Sequence, residues 1–279
     1  MDNILTMPDK ASGIILYDYK IPAPGVKKKI LYHFSDIHLA YTDPTTVGKQ
    51  VMNYENWVAG WPGFSKVHNE PYDEIQMKEP AAHLAQLLEL SGNGDAIAMT
   101  GDICDKVNDT NLGVLNAALK KVHTPCMLVC GNHDMAHEIP DGYLFSQMKE
   151  PVQVTDLGDL LLVGLDNASR QITPQQNEHL QQLLTQDKPM VIIMHIPIMT
   201  EDNYEKLIIC GDYFRLNHPD ANADTLAFIE LLKANAGKIL AVLAGHLHFH
   251  IESTIAPGLP QFVTSQGVLG NINRYEIGE

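Results

Sequence analysis

Five short polar motifs, each directly behind an apolar run of β-like length, constrain the fold of this chain more than any other feature. They are Asp36-Ile37-His38, Gly101-Asp102, Gly131-Asn132-His133-Asp134, His195 and Gly245-His246-Leu247-His248. Short apolar runs bounded by turn signals read as buried strands. In α/β sheets the ligand crevice lies outside the carboxyl ends of the strands, so all five motifs can gather at one sheet edge. Any one of them alone reads equally well as a surface turn. The ordered set of five is what carries information.

Strand and helix patterns alternate from residue 28 onward, which predicts a layered α/β fold. Lys29 to Phe34 reads as a first buried strand. Residues 13–21 read as an extra edge strand, stopped by Pro22 and Pro24. Asp43-Pro44 looks like a helix start, with Val47, Val51, Tyr54 and Val58 at helical spacing, and residues 61–79 read as a long loop. Further strands are expected over 95–100, 125–130, 160–165, 190–194 and 238–244. Helices are expected from Pro80 and over 110–122, 174–184 and 224–234. Residues 200–219 show no clear period, and the chain closes on short strands, one over 261–265, of antiparallel character. The whole reads as one domain over 1–279, with insertions near 41–79 and 200–220.

Bulk properties narrow the function. The net charge is −15, from 34 acidic and 19 basic residues. Such a field repels polyanions, so long nucleic acid is disfavoured as a partner. Among the four cysteines no CxxC pair occurs, so a structural zinc knuckle is not indicated. Cys126 and Cys130 should share one buried face as small hydrophobes. Met1 to Lys10 has neither a basic start nor an apolar stretch, and no run approaches the roughly 20 apolar residues of a membrane span. A cytoplasmic location is expected, with no membrane partner. Homo-oligomerisation stays open.

Carboxylate, amide oxygen and imidazole are the ligands that hard, hydrolytic metals take. A two-metal centre needs a ligand shared between the ions, and a carboxylate such as Asp102 can bridge. Gly101, Gly131 and Gly245 would let the backbone turn sharply at the strand ends. The series Asp-x-His, Gly-Asp, Gly-Asn-His-Asp, His and Gly-His-x-His resembles the calcineurin-like metallophosphoesterase superfamily, over about residues 29–265. Ser35, Asp105 and Pro197 also fit its pattern.

That resemblance implies a four-layer α/β/β/α sandwich of two mixed sheets, with the metal site at the C-terminal ends of the strands. It implies Asp36, His38, Asp102 and His248 on one metal and Asp102, Asn132, His195 and His246 on the other. His133 would stand by the leaving-group oxygen, with Asp134 orienting it. The two ions, whether Mn, Fe or Zn, would make a hydroxide from a shared water, and that hydroxide would attack phosphorus.

The leading expectation is a phosphodiesterase acting on a small soluble phosphoester, such as a cyclic nucleotide. The alternatives are a phosphomonoesterase acting on a nucleotide or protein, an inactive metal-binding scaffold, or a nuclease. The scaffold is disfavoured because no motif residue is missing, and the nuclease because Lys/Arg clusters are lacking.

Some residues outside the motifs are candidates too. His250 follows His246 and His248 at a period of two and is a candidate for a place behind the ligands or against substrate. Trp57, Trp61 and Phe64 could cap the substrate or simply pack their loop. Tyr213 and Arg215 could touch a phosphate, and Asn167 follows a strand end. The other histidines, His33, His68, His83, His123, His137, His179 and His218, read as surface or helix-face residues.

Overall fold

A computed structural model of the chain describes residues 7–9, 13–41 and 80–279. Its strands are β1 (Met7–Asp9), β2 (Ile14–Ile21), β3 (Lys29–Phe34), β4 (Ala96–Met99), β5 (Cys126–Leu128), β6 (Val152–Asp156), β7 (Leu161–Leu165), β8 (Met190–Ile193), β9 (Ile239–Ala244), β10 (Ile251–Ala256), β11 (Leu259–Val263) and β12 (Asn271–Ile277). Its α-helices are α1 (Pro80–Ser91), α2 (Asp109–Leu119), α3 (Pro174–Leu184), α4 (Tyr204–Cys210) and α5 (Ala223–Ala234).

Two six-stranded mixed sheets result, ordered β1-β2-β12-β3-β4-β5 and β10-β11-β9-β8-β7-β6. Each has a parallel centre: β3, β4 and β5 in the first, and β7, β8, β9 and β11 in the second. Successive side chains of a strand point to opposite faces, and here both faces are covered. In β4, Ile97 and Met99 pack outward with Leu84, Leu87 and Leu88 of α1 and Leu112 and Leu115 of α2. Ala96 and Ala98 point the other way, into an inter-sheet core with Leu162, Val191, Ile193, Ala241, Leu243 and Tyr275. Met190 and Ile192 of β8 face the second outer core, with Leu180 of α3 and Phe228 and Leu232 of α5. The layers therefore run α/β/β/α, and the central strands are apolar throughout because neither face meets water.

Three of the helices, α2, α3 and α5, begin where side chains satisfy free amides. Asn108 Oδ1 accepts from Asn111 N at 2.8 Å ahead of α2. Thr173 and Gln176 form a capping box ahead of α3, with Pro174 in the first turn. Asn222 caps α5.

One expectation is corrected here. β2 is not an edge strand, because β1 lies on one side and β12 on the other. The C-terminal β12 pairs parallel with β2 and antiparallel with β3, a long-range return that no local pattern announces. The 200–219 stretch holds the short α4 and a 3₁₀ turn over Asp212–Phe214, too brief to leave a period. The expected helix around Val47–Val58 and the 61–79 loop lie outside the described residues.

The motifs follow from register. Phe34 of β3 pairs with Met99 of β4, and Met99 with Leu128 of β5. In the second sheet Ile193 of β8 pairs with Leu243 of β9. The strand ends are level, so the residues just beyond them meet.

Candidate metal centre

The segments beyond β3, β4, β5, β8 and β9 are tied to one another before any ion is considered. The backbone N–H of His246 donates to Asp36 Oδ2 at 3.0 Å. That of His133 donates to Asp102 Oδ1 at 2.9 Å. Each aspartate thereby spends one oxygen on the protein and turns the other inward. Asp36 Oδ1 is buried and has no hydrogen-bond partner, with His248 Nε2 at 3.2 Å and His38 Nε2 at 3.8 Å. Asp102 Oδ2 lies 3.3 Å from His195 Nε2 and 3.9 Å from His38 Nε2.

The imidazoles are oriented from behind. His195 Nδ1 lies 2.6 Å from the Thr100 carbonyl, which can only accept, so the ring's one neutral N–H sits there. Nε2 then turns a lone pair toward Asp102 Oδ2 and toward Asn132 Oδ1 at 3.1 Å. His38 Nδ1 is held by Asp105 Oδ1 at 3.2 Å, and its Nε2 lies 3.0 Å from His248 Nε2. A ring nitrogen bonded to a carbonyl or carboxylate, with the other nitrogen facing a shared point, is how metal-binding histidines are commonly fixed. Carboxylate oxygens and ring nitrogens that face a shared point attract cations, whether metal ions or protons. Among the described residues two such groups form, Asp36/His38/Asp102/His248 and Asp102/His195/His246, and Asp102 is in both. A third group, His38/Asp105/His133, adjoins the first.

The backbone here is strained. Asp36, His38, Asp102, His246 and His248 all have left-handed φ, between 49° and 71°. Such conformations cost of order 1 kcal/mol or more each and persist where the surroundings over-determine them. The glycines serve two different ends. Gly101 has φ 90° and makes a true turn. At Gly131 a Cβ would overlap Asp102 Oδ1 and N, and at Gly245 it would overlap Ser35 Oγ and lie 2.7 Å from Asp36 Oδ2. Those two are needed for close approach and not, as expected, for bending.

The calcineurin-like phosphoesterase family matches residues 30–250 of this sequence. The chain belongs to that family. This phosphoesterase is accordingly a metal-dependent phosphoester hydrolase. Among solved structures, a dimetal phosphatase from Danio rerio is similar at 13% identity and a TM-score of 0.56, over 86% of this chain and 88% of that one. A purple acid phosphatase from yellow lupin (Lupinus luteus) seeds is similar at 15% identity and a TM-score of 0.50, over 90% of this chain and 45% of that one. These likenesses concern the fold. No curated protein gives a significant sequence match.

Without metal the phosphoesterase centre gathers protons instead. Burial by itself would lower His38, yet hydrogen bonds from its ring to Asp105 and Asp36 and the charge of Asp102 hold it up at about 10. Burial would lower His195 too, and Asp102 and Asp36 hold it at about 9. Burial would raise Asp102, but His195, His133 and His38 keep it well below the usual carboxylate range. His246 goes the other way, to about 3, through burial and the charge of His195. The cluster favours positive charge between its carboxylates, and a metal would displace protons on binding.

Around the ligand candidates the remaining sequence expectations divide. His133, side chain 27% exposed, places Nδ1 3.1 Å from Asp105 Oδ1. Its partner is thus Asp105 and not Asp134. The Asp134 carboxylate instead accepts backbone N–H groups from Gly131 (2.6 Å), Ile103 (2.8 Å), Asp102 (3.2 Å) and Cys104 (3.2 Å), pinning the Asp102 loop. The reason is position: Asp134 points back under its own turn, while Asp105 comes up beside both His38 and His133.

Tyr213 does reach the centre. Its ring lies 5.6 Å from that of His246, and its carbonyl is 3.4 Å from His246 Nε2. Arg215 is buried, and its guanidinium is taken by Asp212 and Met199 Sδ, so it does not serve a substrate phosphate. His250 stacks on Tyr17 at 4.2 Å and meets Tyr19 Oη at 2.7 Å, contacts outside the ligand set. Trp57, Trp61 and Phe64 lie outside the described residues, as does His68. Of the histidines read as surface or helix-face residues, His33 and His218 are buried outside the α-helices, and His83 lies on the buried face of α1.

Two residues beyond β7 matter more than the sequence suggested. Asn167 Oδ1 accepts from His195 N and Ile196 N, both at 3.0 Å, and its Nδ2 donates to Ile196 O at 2.8 Å. It clasps the backbone that carries His195. Arg170 sits three residues further on. The signal for both was present: β7 is another parallel strand whose end meets the same edge.

Proposed function

We propose that this phosphoesterase hydrolyses a small soluble phosphodiester, a cyclic nucleotide or similar ester. In this reading Asp36, His38, Asp102 and His248 hold one metal ion, and Asp102, Asn132, His195 and His246 hold the other. The observation that carries the ligand assignment is Asp102 Oδ2, one carboxylate oxygen facing both groups of nitrogens. The donor set suits Mn, Fe and Zn alike. When bound, such a pair supplies an acidified water as nucleophile near neutral pH and offsets charge on the phosphoryl oxygens.

The chain's own groups do the rest. Thr100 O and Asp105 hold the Nδ1 atoms of His195 and His38, so that each ring turns Nε2 toward the ligand cluster. Asp134 fixes the loop bearing Asp102 through three of its amides and its own turn through Gly131 N. Asp105 occupies His133 Nδ1, which leaves Nε2 as the atom that can hand a proton to the departing alkoxide. The diester preference draws on the Ser35-Asp36-Ile37-His38-Leu39 opening. Phosphomonoesters are the second reading, since the Danio rerio and lupin proteins are named as phosphatases. Residues 1–279 act as one catalytic unit in this reading. A cytoplasmic setting is part of this reading. Among the described residues no helix is long and apolar enough to cross a membrane.

Turnover of protein loaded with Mn on bis-nitrophenyl and mono-nitrophenyl phosphate tests the reading, and a preference for the monoester would reverse it. His133→Ala should retain both metals and slow alkyl esters far more than nitrophenyl esters, because a phenolate leaves without a proton. Equal slowing of both would remove His133 from the proton-donor role.

A further inference from the structure

Among the described residues, six besides glycine hold a left-handed φ. Five are the ligand candidates Asp36, His38, Asp102, His246 and His248, and the sixth is Arg170, at 62°. Aspartate and histidine adopt this conformation several-fold more readily than most side chains, and arginine has no such excuse. Backbone strain of this kind clusters where function holds it.

The loop around Arg170 is pinned on every side. Arg170 N donates to Asn167 O at 2.8 Å, and Asn167 is the residue that clasps the backbone of His195. Arg170 O lies 3.2 Å from His218 Nε2. Gln171 Oε1 accepts from Asn222 N at 2.8 Å, and Ile172 N donates to Thr225 Oγ1 at 2.8 Å. The guanidinium carbon stands 4.9 Å from the centre of the Tyr213 ring, within the range of a cation–π contact. That same ring is 5.6 Å from His246. Tyr213 is 48% exposed, so the pair borders the centre where solvent reaches it.

The charge is unclaimed. The chain has three arginines. Arg215 is paired with Asp212, and Arg274 with Asp18. Arg170 has no carboxylate or hydrogen-bond partner for its guanidinium among the described residues, in a chain of net charge −15. It makes no ion pair with the ligand candidates either. A phosphoryl group gripped at the ligand cluster would leave the guanidinium to a group further along the substrate. We infer that Arg170, laid on Tyr213, is a specificity-determining residue that binds a second anionic group, a carboxylate or phosphate, on the ester portion of a small phosphoester.

The test uses matched esters with metal-loaded protein. Ethyl, carboxyalkyl and phosphonoalkyl p-nitrophenyl phosphates form the diester set. The corresponding alkyl phosphates form the monoester set. Wild-type protein should favour the members that carry a second anionic group, and the better of the two arms names the anion. Arg170→Gln should raise KM for those members about 10- to 100-fold, the range of a charge-assisted hydrogen-bonded pair, and leave the plain ethyl esters within about twofold. Arg170→Lys should recover part of the loss, since it restores charge without the planar fork. A structural role alone would slow every ester together, and that result, or no change at all, overturns the assignment. The assay also separates it from the small-phosphoester reading on which it rests. Hydrolysis with no preference among esters sinks Arg170 alone, and absence of turnover on every ester sinks both.

Discussion

Gly131→Ala tests the centre at its narrowest point. A Cβ there would overlap Asp102 Oδ1 and the Asp102 backbone nitrogen and stand 2.8 Å from its Cγ. Carbon–carbon contacts settle near 3.5–4.0 Å, so the carboxylate must retreat by about 1 Å. It has little freedom to do so, because its loop is held by Asp134 and its Oδ1 by His133 N. The inward oxygen is 3.3 Å from His195 Nε2 and 3.9 Å from His38 Nε2. Metal–ligand distances tolerate about 0.2 Å, so a displacement of this size removes Asp102 from both groups at once. Metal affinity should fall at least about 10- to 100-fold and turnover about 100-fold or more. Overpacking should cost the metal-free fold about 1–3 kcal/mol. The assay is metal content per folded chain after dialysis against graded chelator, together with hydrolysis of bis-nitrophenyl phosphate at saturating Mn. A variant that keeps two tightly held ions and wild-type kcat/KM would refute the placement of Asp102 between the two groups.

Two further outcomes follow from single side chains. Gly113 lies exposed within α2, and a Cβ there meets nothing within 4 Å. Gly113→Ala should therefore stabilise the protein by about 0.5–1 kcal/mol through a less flexible unfolded chain, with activity unchanged. A lowered melting temperature would contradict this. His33 is wholly buried between Thr100 Oγ1 (2.9 Å) and Tyr275 Oη (3.2 Å). Burial pushes its pKa down to about 3, with Asp36 pulling the other way. The unfolded chain takes up this proton near pH 6.5 and the folded chain does not, so stability is full above pH 6.5 and is lost as pH falls toward 3. The loss from this one group is about 2 kcal/mol by pH 5. His33→Gln, compared in urea titrations with chelator present throughout, should show a slope against pH shallower by one proton. Parallel curves for the two proteins would count against a neutral His33.

Much of the centre was legible because its chemistry is local. Each ligand candidate directly follows a strand, and a strand end is marked by the change from apolar to polar residues, as at Phe34-Ser35-Asp36 and Ala244-Gly245-His246. The layering was legible for a similar reason: the central strands are apolar on both faces. What misled were side chains whose role depends on direction. Arg215 and Tyr213 are two residues apart, yet Asp212 captures one and His246 is met by the other. Asp134 is next to His133 in sequence and Asp105 is 28 residues before it, and only the fold decides that the distant carboxylate comes up beside the ring. His33 looks polar and is among the most buried residues, because Thr100 and Tyr275 supply the partners that water would.

The order of residues along this chain determined which groups stand at strand ends, since that depends on hydrophobic period and turn chemistry within a dozen neighbours. Only the tertiary structure decided which atoms of those groups face each other. Oδ1 of Asp102 goes to an amide and Oδ2 to two imidazoles, β12 returns from the C-terminus to lie between β2 and β3, and Arg170 is laid against Tyr213. These depend on contacts between residues tens to hundreds of positions apart, and such contacts are set by packing the sheets together and not by any short stretch of sequence.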